Sequence, residues 1–143
     1  MATLMIIALV AGAVMLMAPP QERETRAAAE QLARRLTLAA EESIITNRPV
    51  GFVATAQGYG FARLEENGWT RIESESPLMF HVWPEGVTYT LEQERARADE
   101  EAPAVRFDAL GGATPARITL RRGGVRWRVD VDGQGESHVA RVE

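Results

Sequence analysis

From Met1 to Ala18 the chain reads MATLMIIALVAGAVMLMA, with no charged residue and only Thr3 clearly polar. As a helix this run is about 27 Å long at 1.5 Å per residue, close to the roughly 30 Å hydrocarbon core of a bilayer. A helix buried in a soluble core carries a polar stripe, and this one has none. The pattern predicts a retained membrane helix over residues 1–18, with Leu4, Ile6, Ile7, Leu9, Val10, Val14 and Leu16 facing lipid. The rival reading is a cleaved signal peptide, which needs a basic start. Here the first arginine is Arg23, and Leu16-Met17-Ala18-Pro19-Pro20 forms a poor small-residue cleavage site. Charge does not fix the orientation: Arg23, Arg26, Arg34 and Arg35 follow the run, but so does a long domain, and long domains cross regardless of charge.

Pro19-Pro20 punctuates the chain, and a helical period resumes from about Gln21 to Thr46. Ala28, Ala29, Leu32, Leu36, Ala39, Ala40 and Ser43 fall on one face, with Arg26, Glu30, Arg34, Glu41 and Glu42 around the remainder. Leu38 and Ile45 lie off this stripe. They predict a buried face that widens toward the carboxyl end, or a second face for other subunits. Asn47-Arg48-Pro49 stops the helix, since the residue before a proline is pushed out of the α region.

Beyond Pro49 the period changes to that of strands. Val50 to Ala56 and Tyr59 to Glu65 are separated by Gln57-Gly58, and Asn67-Gly68 between alternating runs predicts a hairpin into Trp69–Ile72. Leu78 to Val82 and Val87 to Leu91 flank a Pro84-Glu85-Gly86 turn. Val105 to Phe107, Arg117 to Leu120, Val125 to Val131 and Ser137 to Val142 complete the set, with turns at Arg121-Arg122-Gly123-Gly124 and Asp132-Gly133. Glu92 to Pro103, with five acids and two arginines, reads as an exposed loop and a candidate for partner recognition. The expected fold class is α+β: a long amino-terminal helix, membrane part then amphipathic part, packed on an antiparallel sheet or small sandwich. The expected division is a transmembrane helix at 1–18, an amphipathic helix at 19–46 and a β domain at 47–143, with a soluble unit of about 21–143.

Composition narrows the chemistry. The 143 residues contain no Cys, two histidines and no Lys, so all 16 positive charges are Arg, against 20 acids. Disulfides, thiolate metal sites, cysteine nucleophiles, Schiff-base chemistry and a P-loop lysine are excluded. Ser137 and His138 are neighbours on a predicted strand and point to opposite faces, so they form no nucleophile–base pair. Asp130 to Glu136 superficially resembles a calcium loop, but the twelfth position from Asp130 is Arg141, where a bidentate Glu is needed. Asp132-Gly133 is instead read as turn chemistry. No enzyme activity, cofactor or metal is expected.

An apolar helix running into an amphipathic one, then a compact β domain, is similar to the type IV pilin superfamily. In detail the chain resembles the minor pseudopilins of type II secretion, of the H type in the FimT/GspH-like group. The resemblance is carried by Leu36 to Gly51, by Pro84-Glu85-Gly86-Val87, and by Pro115 to Leu120 leading to Trp127 to Gly135. It implies a single-pass subunit of the bacterial inner membrane with its β domain in the periplasm. Such a subunit exchanges lipid for neighbouring helices as it enters a short filament that drives protein secretion. The implied partners are other minor pseudopilins and the major pseudopilin, with Leu38 and Ile45 as candidate assembly contacts. The family's processing motif, a glycine followed by Phe-Thr-Leu-x-Glu, does not occur here. Met1 corresponds to a point just downstream of it, as from a late start or a trimmed sequence, and neither the cleavage site nor the assembly glutamate is carried over. Methylation is a further family expectation.

A second reading stays open. Arg117, Arg121, Arg122, Arg126 and Arg128 cluster without an intervening acid, with Trp127 among them. Arginines with an interleaved aromatic can contact phosphates and stack on bases. FimT-like minor pilins are thought to capture DNA this way, which makes Arg121, Arg122, Arg126 and Arg128 the alternative nucleic-acid contacts. Strand alternation would put Arg126 and Arg128 on one solvated face and turn Trp127 toward the core.

Overall fold

The computed structural model describes residues 19–73, 76–93 and 102–143. The membrane-helix residues Leu4 to Leu16 therefore lie outside the described residues. Among those described, no helix is long and apolar enough to cross a membrane.

Among the described residues one helix, α1 (Pro20–Thr46), precedes nine strands: β1 (Val50–Ala54), β2 (Gly58–Glu65), β3 (Gly68–Arg71), β4 (His81–Val82), β5 (Thr88–Gln93), β6 (Val105–Phe107), β7 (Ala116–Arg122), β8 (Val125–Val131) and β9 (Ser137–Val142). Pro20 occupies the first turn of α1, where its missing N–H costs nothing. The helix ends at Asn47, whose left-handed φ of 53° lets the Arg48 N–H reach the Ser43 carbonyl and the Asn47 N–H reach that of Ile44. This is a Schellman closure, made by one of the few side chains that tolerates the left-handed region.

All strand pairs are antiparallel. One sheet runs β3-β2-β1-β6, with β4 also pairing with β2; the other runs β5-β7-β8-β9. The helix packs across β7, β8 and β9 and reaches β1 and β6. Its inner stripe of Ala28, Ala29, Leu32, Leu36 and Ala39 meets Val50, Phe52, Val105, Phe107, Ile118, Leu120 and Val129 in one core. Leu32 and Leu36 are fully buried, each contributing about 1.5–3 kcal/mol relative to exposure. Two polar residues enter this stripe with partners. The Thr25 hydroxyl donates to the Gln21 carbonyl at 2.6 Å, and that of Ser43 lies 2.6 Å from the Ala40 carbonyl and 3.0 Å from that of Asp108.

The far face of the first sheet is also covered, which requires glycines. A Cβ on Gly58 would strike the His81 carbonyl oxygen, and one on Gly51 would strike the Pro103 ring. The expected Pro84–Gly86 turn, with Gly86 at φ 81°, hands the chain between sheets: β4 pairs with β2 and β5 pairs with β7. That crossing is fastened by the Trp83 indole N–H donating to the Thr55 carbonyl and the Tyr89 hydroxyl donating to that of Ala54. The β2–β3 hairpin pairs Glu65 with Gly68, so Glu66-Asn67 form the turn, and Gly68, at φ 110°, supplies the positive dihedral expected of Asn67-Gly68. In the stretch read as an exposed loop, Glu92 and Gln93 end β5 and Ala102 and Pro103 are buried; residues 94–101 lie outside the described residues. Finally, the buried face of α1 does not widen toward its carboxyl end, because Leu38 and Ile45 are exposed.

Candidate assembly surface

Because α1 rests on the sheets along one side, its opposite side is open. Leu38 is 38% and Ile45 78% exposed, on the side away from the core stripe. Ile44, 54% exposed and not anticipated from the periodicity, stands beside Ile45. Ala33, Arg34, Thr37, Leu38 and Glu41 line an open groove of about 410 Å³ whose other wall is Ser137 of β9. The Ser137 hydroxyl is buried there without a hydrogen-bond partner. The surface is thus an apolar step flanked by one positive and one negative charge, at the join between helix and sheet edge.

Most of the remaining helix charges have a partner within the chain. Glu22 pairs with Arg141 at 2.7 Å, Glu24 with Arg122, Arg26 with Glu30 at 2.9 Å, and Glu42 with Arg63 at 2.8 Å. Such exposed pairs are worth only about 0–1 kcal/mol each, yet the three that join helix to strands, from Glu22, Glu24 and Glu42, mark the side committed to its own sheets.

The arginine cluster is divided by the structure. Arg121 and Arg126 stand opposite each other across β7 and β8, on the face that also carries Arg117 and Arg128. Arg122 points to the other face and binds Glu24 on the helix, which corrects its grouping with the other three. Asp130 accepts from Arg117 and faces Arg128, each at 2.9 Å. Its carboxylate raises the Arg117 pKa through the hydrogen bond and then the charge. Trp127 turns inward as expected, and the Arg26 guanidinium lies 5.5 Å from its ring centre, so helix and core occupy the aromatic face that a base would stack on.

Asp132 is a turn residue, as expected. Its carboxylate accepts from the backbone N–H groups of Gln134 and Glu136, which hold its pKa below the usual range, with His138 adding to the effect. Among the described residues, the ligand atoms of Asp132, Glu136 and His138 converge to within 4.8 Å and could approach a metal ion. All three sit on an open turn where Asp132 is already committed to the backbone. His81 is half-buried; burial, then the charge of Arg35, pushes its pKa down, against an opposing effect of the Pro77 backbone. Arg35 itself donates to the Tyr59 hydroxyl at 2.5 Å. Burial raises the Tyr59 pKa more than Arg35 lowers it.

The family model for the Type II transport protein GspH matches residues 28–135. Three solved structures share the fold. The minor pseudopilin EpsH from the Type 2 Secretion System of Vibrio cholerae is 22% identical, with a TM-score of 0.69 over 82% of this chain and 97% of that one. A crystal structure of the same minor pseudopilin is 24% identical, with a TM-score of 0.72 over 85% and 97%. The solution structure of GspH from E. coli is 18% identical, with a TM-score of 0.68 over 87% and 94%. No curated protein matches the sequence. The comparisons do not favour the DNA-capturing alternative.

Proposed function

The chain belongs to the GspH family of type II transport proteins, and on that premise we propose that it is a minor pseudopilin, held in the inner membrane by residues 1–18. In this reading its β domain stands in the periplasm, and α1 inserts among the helices of neighbouring pseudopilins in the filament that moves secreted proteins. The observation that carries the proposal is the extent of the family match, which runs from the inner stripe of α1 through both sheets to the β8–β9 turn. The open side of α1, with Leu38 and Ile45, supports the choice of contact. The helix is anchored along one side only, so its other side is available to a neighbour without unfolding the domain.

The test is complementation. In a bacterium lacking the gene, the wild-type chain is expected to restore secretion. The double variant Leu38→Asp with Ile45→Asp is expected to accumulate as a folded protein and fail to restore it. Full restoration by the variant would reject these contacts, and no effect of the deletion on secretion would reject the function.

A further inference from the structure

The β7–β8 turn lies beside the start of α1, at the end of the domain nearest residues 1–18. A Cβ on Gly123 would lie 3.6 Å from the Gln21 Oε1. Ion pairs from Arg122 to Glu24 and from Arg141 to Glu22 tie the ends of β7 and β9 to the first turns of the helix, and they occupy both acids there. Three arginines of the same end are left over: Arg23, Arg121 and Arg126 are exposed and form no ion pair among the described residues. Arg121 and Arg126 stand directly opposite each other, and like charges so placed destabilise a sheet unless an anion offsets them. Their neighbours on that face are Thr88, Thr119, Arg128 and Val142, none of them acidic. The Arg121 Nε donates to the Gly123 carbonyl at 3.1 Å and the Arg126 Nη2 to the Glu143 carbonyl at 3.4 Å. Neutral acceptors thus hold both guanidiniums at this end of the sheet and leave their charge uncompensated. Glu85 and Glu143 form no ion pair with either. At the other end of the same strands the sign reverses: the β8–β9 turn carries Asp132 and Glu136 and lies beside Ala40, towards the far end of α1.

A pair of guanidiniums held in place without a carboxylate suits a phosphate group, which two arginines can grip through several charged hydrogen bonds. The bilayer surface is the source of phosphate this end would meet, because α1 begins at Pro20 and the apolar run ends at Ala18. We propose that Arg121 and Arg126, with Arg23 at the helix start, bind the phosphodiester headgroups of anionic lipid and dock the β7–β8 end of the domain on the membrane. The same surface repels Asp132 and Glu136, so the charge gradient along β7 and β8 stands the domain with its basic turn toward the lipid and its acidic turn away. The contact belongs to the subunit before it enters the filament. Duplex nucleic acid offers the same phosphates, but the Trp127 ring that would stack on a base is taken by Arg26 and the core. The inference rests on the reading of residues 1–18 as a membrane anchor, and it adds the surface of the folded domain that meets the lipid.

The test uses the full chain, reconstituted in vesicles of phosphatidylcholine with or without phosphatidylglycerol. Because the sequence has no cysteine, Gly124→Cys or Gln134→Cys can carry a single fluorescent label, quenched on contact by lipids spin-labelled at the headgroup. An added Cβ at Gly124 meets nothing within 4 Å, and Gln134 is exposed in the β8–β9 turn. With phosphatidylglycerol present, the label at 124 is quenched and the label at 134 is not. Arg121→Gln or Arg126→Gln each lowers the docking equilibrium about fivefold, and the two together lower it further. High salt releases the wild type by screening the same charges. Equal quenching at 124 with and without phosphatidylglycerol, or in the wild type and the double variant, would overturn docking by these arginines. Binding of a labelled DNA duplex that is lost in the double variant, with no quenching at 124, would give the pair to nucleic acid instead. A chain that resists extraction by alkaline carbonate yet shows no quenching at 124 would reject the docking and leave the anchor standing. A chain stripped from the vesicles by that wash would reject the anchor itself, and the docking with it.

Discussion

Both long sides of α1 carry large aliphatic residues, and these meet opposite fates. On the inner side, Leu32 and Leu36 are sealed against Phe52, Phe107, Ile118 and Leu120. On the outer side, Leu38 and Ile45 stand in solvent with Arg34 and Glu41 between them. The inner side works through volume, because a packed core penalises a lost methyl group. The outer side makes no such contacts within the domain, so its composition costs the isolated fold little. One helix therefore carries folding on one face and, in the function proposed above, association on the other, and substitutions should separate the two.

The largest expected effect comes from exchanging sides. Leu36→Ala should cost about 2–5 kcal/mol of stability in urea unfolding, whereas Leu38→Ala should stay within about 0.5 kcal/mol. Equal losses would mean that the two sides are not distinct. Gly58→Ala sharpens the point on the covered face of the first sheet. The added methyl meets the His81 backbone carbonyl, which cannot swing away as a side chain would, and about 1–3 kcal/mol should be lost in the same measurement. Arg26→Ala should cost about 0.5–1 kcal/mol by removing the cation from the Trp127 ring, and Arg26→Lys should recover part of it.

The smallest effect is a pH slope. His81 has its pKa held below 6.5 in the fold, so the unfolded chain takes up the proton first as pH falls. Stability should therefore be lost as pH drops below that value toward the folded pKa. The melting temperature measured from about pH 7.5 to about pH 5.5 should fall less steeply in His81→Gln than in the wild type. An identical slope would show that Arg35 and burial do not act on this ring.

Most of the fold was legible in the sequence because its signals are local. The inner stripe of α1, the alternation of β7 and β8 and the glycines at the β7–β8 turn each declare themselves within a few residues. Trp127 turning inward between Arg126 and Arg128 follows from the period of two alone. What stayed hidden depends on partners distant in sequence. Nothing near Pro84 says that β4 and β5 belong to different sheets. Nothing near Arg122 says that Glu24 awaits it across the molecule, so a basic run that looked like one patch is split by a helix. Leu38 and Ile45 were visible as residues off the stripe, but the sequence left open whether the sheets extended to cover them. The charged stretch before Pro103 misled at its two ends for a related reason: they are drawn into β5 and under Gly51 by partners distant in sequence.

The order of strands in the first sheet has a consequence in time. β1 leaves the helix and soon meets β2, since Val50 lies opposite Arg63. Its other edge waits for β6, where Val50 lies opposite Phe107. A chain emerging from its amino end thus carries Val50, Gly51 and Phe52 along an open, hydrogen-bonding border until more than half of the domain has followed. Closing that border joins residues far apart in the chain, which is slow, and an apolar border left open is prone to pair with another molecule. The short strand Val105–Phe107 acts as the late seal, and the interval before it arrives is when a newly made subunit is most in need of being kept apart from its neighbours.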